Sequence, residues 1–242
     1  MHSLQKRFDH PLSSHSCSKL LQNKCNILIQ NLGGKNGYYA KSLNVAKLFG
    51  EPAVYFHQKA LEWQQKNFLG DRHLEYIYAT LTAWGMQRPG TRGATMPAFN
   101  DFKNSILAEK VKTRLLEWKD LRIETIDCVT FNDILSDLAD VCFSIEATTC
   151  ANTKIVSGSK TLAHILPNLV CPIDRKYTQP FFCARLGSMA QEREFFEEVM
   201  KTMWHFYQDL QVLKTIHAPL PNTPFFESYP KIFDNLVIAY GR

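Results

Sequence analysis

Apolar residues recur every three or four positions along most of the chain, the spacing that places them on one face of an α-helix. From Ser18 to Leu32 the stripe is Leu20, Leu21, Ile27 and Leu28, and Gly33-Gly34 ends it. A second helix is predicted from Val54 to Leu69, closed by Gly70. A third opens at Asp71, a residue type that caps helices, and runs through Leu74, Ile77, Tyr78, Leu81 and Trp84. The following Gly85-Met86-Gln87-Arg88-Pro89-Gly90-Thr91-Arg92-Gly93 cannot stay helical and predicts a loop. Phe99 to Trp118 returns to the helical pattern, and Leu121 to Ile126 is the one weak strand candidate. Thr130 is placed to cap a helix from Phe131 to about Ala147. Ser188 to Leu213 predicts the longest helix, with Glu192, Glu194, Glu197 and Glu198 suited to its positive end. Pro219, Pro221 and Pro224 interrupt the chain before a last amphipathic helix from Tyr229 to Tyr240.

This pattern predicts an all-α fold. Residues 1–17 read as a polar lead-in and 18–242 as one helical domain, its two lobes falling at 18–126 and 127–242 with a cleft between them. The length of 242 residues, 45% hydrophobic and 21% charged, suffices for a buried core without staples. No apolar run reaches the ~18 residues that a membrane span requires, and the first residues show no secretory signal. The seven cysteines, at 17, 25, 128, 142, 150, 171 and 183, form no CxxC pair and no zinc-finger spacing. They read as reduced thiols, which places the protein in the cytoplasm, or in the nucleus of a eukaryote, without a structural metal. A net charge of +5 is compatible with a polyanionic partner and does not establish one.

Candidate chemistry concentrates between Thr153 and Thr178. Ser157-Gly158-Ser159 reads as a small-residue turn followed by a helix starting at about Lys160. Such a turn directs backbone N–H groups outward and can hold a phosphate. Lys160 then lies in the first turn, where it opposes the helix dipole unless an anion sits there. His164, four residues on, shares its face. Asp174 follows Pro172 at the opening of the next helix, flanked by Arg175 and Tyr177. In the loop after Trp84, Arg88 and Arg92 are candidates for phosphate contacts, while Trp84 itself reads as a core residue, as do Trp63, Trp118 and Trp204.

Gly158-Ser159-Lys160-Thr161 and Pro172-Ile173-Asp174 resemble the helix-hairpin-helix DNA glycosylases, the superfamily of endonuclease III, the adenine glycosylase of mismatch repair and 8-oxoguanine glycosylase. The resemblance covers about 30 residues. Val156 and Ile155 stand where the family hairpin has glycine and proline, and the 14 positions from Lys160 to Asp174 are about one helical turn fewer than in the family. The resemblance implies a helix-hairpin-helix over about 131–169 and a duplex DNA partner with a flipped base. It implies Asp174 as the carboxylate that stabilises an oxocarbenium-like sugar and Lys160 as a nucleophile at C1′, with or without strand cleavage. It implies no metal or organic cofactor, and a role in base-excision repair or in defence against modified phage DNA. Two other readings of the same residues stand beside it. One is a non-catalytic helix-hairpin-helix protein that clamps DNA phosphates; the other is a helical interaction subunit.

Overall fold

The computed structural model describes residues 23, 25–45, 47, 49–87, 95–149, 154–182, 184, 186–216 and 223–242, and all regular structure among them is helical. Helix α1 (residues 25–30) gives way to Gly34 in the left-handed region, φ 84°. Helix α2 spans Tyr38–Ser42. Helix α3, Glu51–Lys66, carries Pro52 in its first turn, where a missing N–H costs no hydrogen bond. Gly70 caps α4, Asp71–Leu81, so Asp71 is the first helical residue rather than the cap. Its carboxylate suits that end of the helix and pairs with Lys103 at 2.6 Å.

The chain then continues as a π-helical turn, Thr82–Met86, with Gly85 at φ 76°. A side chain at Gly85 would meet the left-handed penalty. The loop predicted from residue 85 therefore begins as one further helical turn. Arg88 and Arg92, expected in that loop, lie outside the described residues.

The helix predicted from Phe99 to Trp118 is two helices, α5 (Phe99–Leu107) and α6 (Glu109–Trp118), separated by extended Ala108 (ψ 132°). The apolar stripe explains the break. Phe102 and Ile106 face inward on α5, but the next buried residues are Val111, Leu115 and Trp118, one position out of phase. Residues 121–126 form turns, not a strand. Asp127, not Thr130, caps α7 (Cys128–Ser144), accepting the N–H groups of Val129 and Thr130 at 2.9 and 3.0 Å.

Helix α8 runs Lys154–Ile165, and only Lys154, Lys160 and Ala163 along it escape burial. After the short α9 (Thr178–Phe181), α10 covers Met189–Gln208 behind a capping box of Ser188 and Gln191. Asp209 interrupts it before α11 (Leu210–Thr215), so the long predicted helix is also divided. Helix α12, Tyr229–Tyr240, keeps its predicted bounds and is buried from Pro230 to Ala239.

Helix α8 is the hub: α3, α4, α7 and α10 all pack against it, while α12 lies against α2 and α9. One apolar core runs from Cys25 to Val237 and draws on both halves of the chain. No helix among the described residues is long and apolar enough to cross a membrane.

Candidate functional site

The expected phosphate-holding turn is absent: Ser157, Gly158 and Ser159 lie inside α8, all buried. Their side chains are committed inward. Ser157 and Ser159 donate to the carbonyls of Lys154 and Val156 at 3.3 Å, and the Ser159 hydroxyl accepts the Ile173 N–H at 3.0 Å. Gly158 serves helix packing, since a Cβ there would stand 2.2 Å from the Cys142 carbonyl oxygen of α7. The real start of α8 is met by the protein's own anion. The Glu192 carboxylate bonds the Ile155 N–H, and Arg175 backs it at 3.8 Å. Burial raises the Glu192 carboxyl above its ordinary range, opposed by these two contacts.

Lys160 and Asp174 do come together. The ammonium donates to Asp174 Oδ2 at 3.2 Å, with the lysine side chain 12% and the aspartate 30% exposed. Asp174 divides its work between two oxygens. Oδ1 accepts the N–H groups of Lys176 (2.6 Å) and Tyr177 (3.2 Å), fixing the turn before α9, and Oδ2 faces Lys160. Burial pushes the carboxyl upward, but the Lys160 charge and the two N–H donors outweigh it and hold Asp174 below its ordinary value. Asp174 thus fixes a turn, the next helix opening only at Thr178 and not at Asp174 as expected, and is at once an ionised partner of Lys160. Tyr177 turns its hydroxyl to Arg242 (3.0 Å) rather than to this pair.

Above Lys160 stands Trp84, carried there by the π-helical turn, with the ammonium 5.6 Å from the ring centroid. The tryptophan read as a core residue from sequence is half-buried at the site. Its indole N–H is buried without a hydrogen-bond partner. Lys231 of α12 faces the rings of Trp84, Phe49 and Phe225 at 5.2 to 5.8 Å and pairs with Asp234. Burial raises the Asp234 carboxyl, and Lys231 opposes that shift. Phe225 has φ 66°, an uncommon conformation for a bulky residue. It is held by Asn235, which donates to its carbonyl at 2.7 Å, and by Glu227, whose Oε1 accepts its N–H at 2.8 Å.

Three histidines complete the centre. His164 Nδ1 lies 2.7 Å from the Lys160 carbonyl and His57 Nδ1 lies 3.0 Å from His164 Nε2. His57 Nε2 then faces Glu227 Oε2 at 3.4 Å. Beneath them, His73 Nδ1 accepts the Leu69 N–H at 3.1 Å, and its Nε2 donates to the His164 carbonyl at 3.4 Å. Burial lowers His164 well below the usual histidine value, helped by His57.

A cavity of about 10 Å³, room for one water, is lined by His57, Trp84, His164, Glu227 and Lys231 among others. Lys160 and Asp174 do not line it; Trp84 touches both places. The space is not the size of a base. Of the sequence candidates, Lys160, Asp174 and His164 converge, and Arg175 and Tyr177 point to other partners. His57, Glu227 and Lys231 belong to the centre and were missed. A charged pair at i and i+3 in the otherwise apolar 229–240 helix was a readable signal for Lys231 and Asp234; nothing local marked His57 or Glu227.

Comparison with family models, curated proteins and solved structures finds no match for this chain.

Burial holds the His73 ring neutral, its ionisation pushed down to about 4, with the His164 carbonyl opposing only weakly. The unfolded ring takes up its proton below about pH 6.5, the folded ring only near pH 4. The stability it supports is therefore whole above pH 6.5 and is lost between those values. Urea unfolding at pH 7 and pH 5 is expected to differ by about 2 kcal/mol from this residue, with His164 adding in the same direction. The pH slope becomes shallower in His73→Gln; an unchanged slope contradicts the assignment.

Proposed function

We propose that this protein is a DNA N-glycosylase, with Asp174 and Lys160 as the reacting pair. The observation that carries the reading is their ion pair, 3.2 Å across and largely covered with the Asp174 side still reaching solvent, formed by residues that 14 positions of sequence separate. An ionised carboxylate at such a place stabilises the positive sugar that forms as a C1′–N bond breaks, and it accepts a proton from the attacking group. Lys160 offers a second route. Its ammonium passes a proton to Asp174, the freed lone pair bonds to C1′, and the bonding electrons leave with the base. Opening of the sugar then yields a Schiff base.

The net charge of +5 and the paired cations Lys160 and Lys231 suit a DNA strand, and the rings of Trp84, His57 and Phe225 suit a planar base. A base enters only when Trp84 gives way, because the cavity at rest has room for no more than a water. Ser157, Gly158 and Ser159, which both this reading and a non-catalytic phosphate clamp drew on, lie buried in α8, so the reading rests on the Lys160–Asp174 pair and not on a hairpin turn.

The test is release of free base from duplexes carrying hypoxanthine, uracil or 8-oxoguanine and from dimethyl sulfate-treated DNA. Borohydride in the same assay traps a covalent adduct if Lys160 attacks and none if water does. No base release from any of these substrates, together with salt-insensitive DNA retention, refutes the proposal.

A further inference from the structure

The histidine chain fixes its own protons. The Lys160 carbonyl can only accept, so the 2.7 Å contact requires a proton on His164 Nδ1. Buried and neutral, His164 then presents a lone pair at Nε2, and His57 must donate to it from Nδ1. With Nδ1 protonated, a neutral His57 has only a lone pair left at Nε2, and Glu227 Oε2 stands 3.4 Å away. Two acceptors facing each other there would repel. One proton therefore lies between His57 Nε2 and Glu227 Oε2, whether as imidazolium and carboxylate or as imidazole and carboxylic acid. Glu227 Oε1 is already occupied by the Phe225 N–H, which orients the carboxyl toward His57.

This pair lines the water-sized cavity beside Trp84. Around it stand Lys231 from α12, His164 from α8, and the rings of Trp84 and Phe225.

We propose that Glu227 and His57 are the general acid of this site and deliver their shared proton to the departing base. The inference rests on the N-glycosylase reading. In the water route the C1′–N bond breaks, its electron pair stays on the base, and the shared proton moves to that base. A water oxygen bonds to C1′ and passes its proton to Asp174, and solvent then carries that proton from Asp174 back to the pair. His164 is a positioning residue: it holds the His57 ring in the one tautomer that leaves Nε2 toward Glu227.

The substrates named above separate acid catalysis from folding. Hypoxanthine and 8-oxoguanine are neutral purines whose departure a proton assists, uracil can leave as an anion that its two carbonyls stabilise, and 7-methylguanine in methylated DNA already carries its positive charge. Glu227→Gln keeps an oxygen for the Phe225 N–H and removes only the shared proton. The expected result is a slowing of about 10²-fold or more on whichever neutral purine the wild type excises, with less than about tenfold on 7-methylguanine. Equal slowing on both kinds of base, in a variant that melts like the wild type, overturns the inference and leaves the N-glycosylase reading standing. A wild type silent on every substrate sinks that reading and this inference with it. Nitrogen NMR of the rings gives a check without turnover. His164 is expected to carry its proton on Nδ1, and the His57 Nε2 resonance to shift in Glu227→Gln; a proton on His164 Nε2 overturns the pair.

Discussion

Exchanging Asp174 for asparagine is expected to slow base release by about 10²- to 10³-fold while leaving DNA affinity equal or higher. Asparagine can keep its oxygen toward the Lys176 and Tyr177 N–H groups, which now bind Asp174 Oδ1. The turn before α9 therefore survives. What changes is the other arm, where an amide NH₂ replaces Oδ2 and meets the Lys160 ammonium, donor against donor. The developing positive sugar loses its countercharge, and neither water nor Lys160 has a proton acceptor. A charge interaction used in the transition state shows in turnover rather than in binding. If DNA binds as proposed, removing the Asp174 charge takes away a repulsion with phosphates and is not expected to weaken retention. Single-turnover base release and filter binding on the same duplex check both halves, with circular dichroism to verify the helices. Native-rate release by a folded variant removes Asp174 from the chemistry.

Placing a methyl group at Gly158 is expected to destabilise the protein by about 2 kcal/mol, lowering its melting temperature by roughly 4–8 °C. In a solvated helix, glycine to alanine gains roughly 0.5–1 kcal/mol. Here the new Cβ would lie 2.2 Å from the Cys142 carbonyl oxygen and 2.9 Å from its Sγ. The sulfur can rotate; the carbonyl belongs to the backbone of α7 and yields only if the helices separate. Overpacking of this kind costs about 1–3 kcal/mol and exceeds the propensity gain. Thermal melting of Gly158→Ala checks it. An unaltered or raised melting temperature with weakened DNA binding is what an exposed phosphate-holding turn would give, and would contradict the helical placement.

That contrast marks where the sequence was legible. Helix α12 is readable because every turn has an apolar anchor and the prolines before it fix its start. The start of α4 is readable because Gly70 caps it, whereas α3 ends earlier than the predicted Leu69, at Lys66 with Asn67 as its cap. Ser157-Gly158-Ser159 misleads because small residues serve two purposes: they form turns, and they let helix backbones approach closely. Only the facing surface of α7 distinguishes the two. The stripe of α5 and α6 held its own clue in the slip between Ile106 and Val111, which a continuous helix cannot accommodate. At the site, Lys160 and Asp174 were visible through the motif they form with their neighbours. His57 and Glu227 lie 107 and 63 positions from His164, His57 before it and Glu227 after it, so nothing local joins them; their partnership exists only once α3 and the chain before α12 are folded against α8.

The contact at Gly158 also divides the molecule mechanically. A helix touching its neighbour backbone to backbone has no side chains between to act as a bearing, so α8 neither slides nor rolls on α7. Lys160 and His164 ride on that anchored element. Trp84 sits instead on a π-helical turn that ends in left-handed Gly85, where the backbone has already left the regular ladder. On the N-glycosylase reading proposed above, the site has a fixed jaw and a yielding one, and the free energy of admitting a base would fall on the arm that carries Trp84.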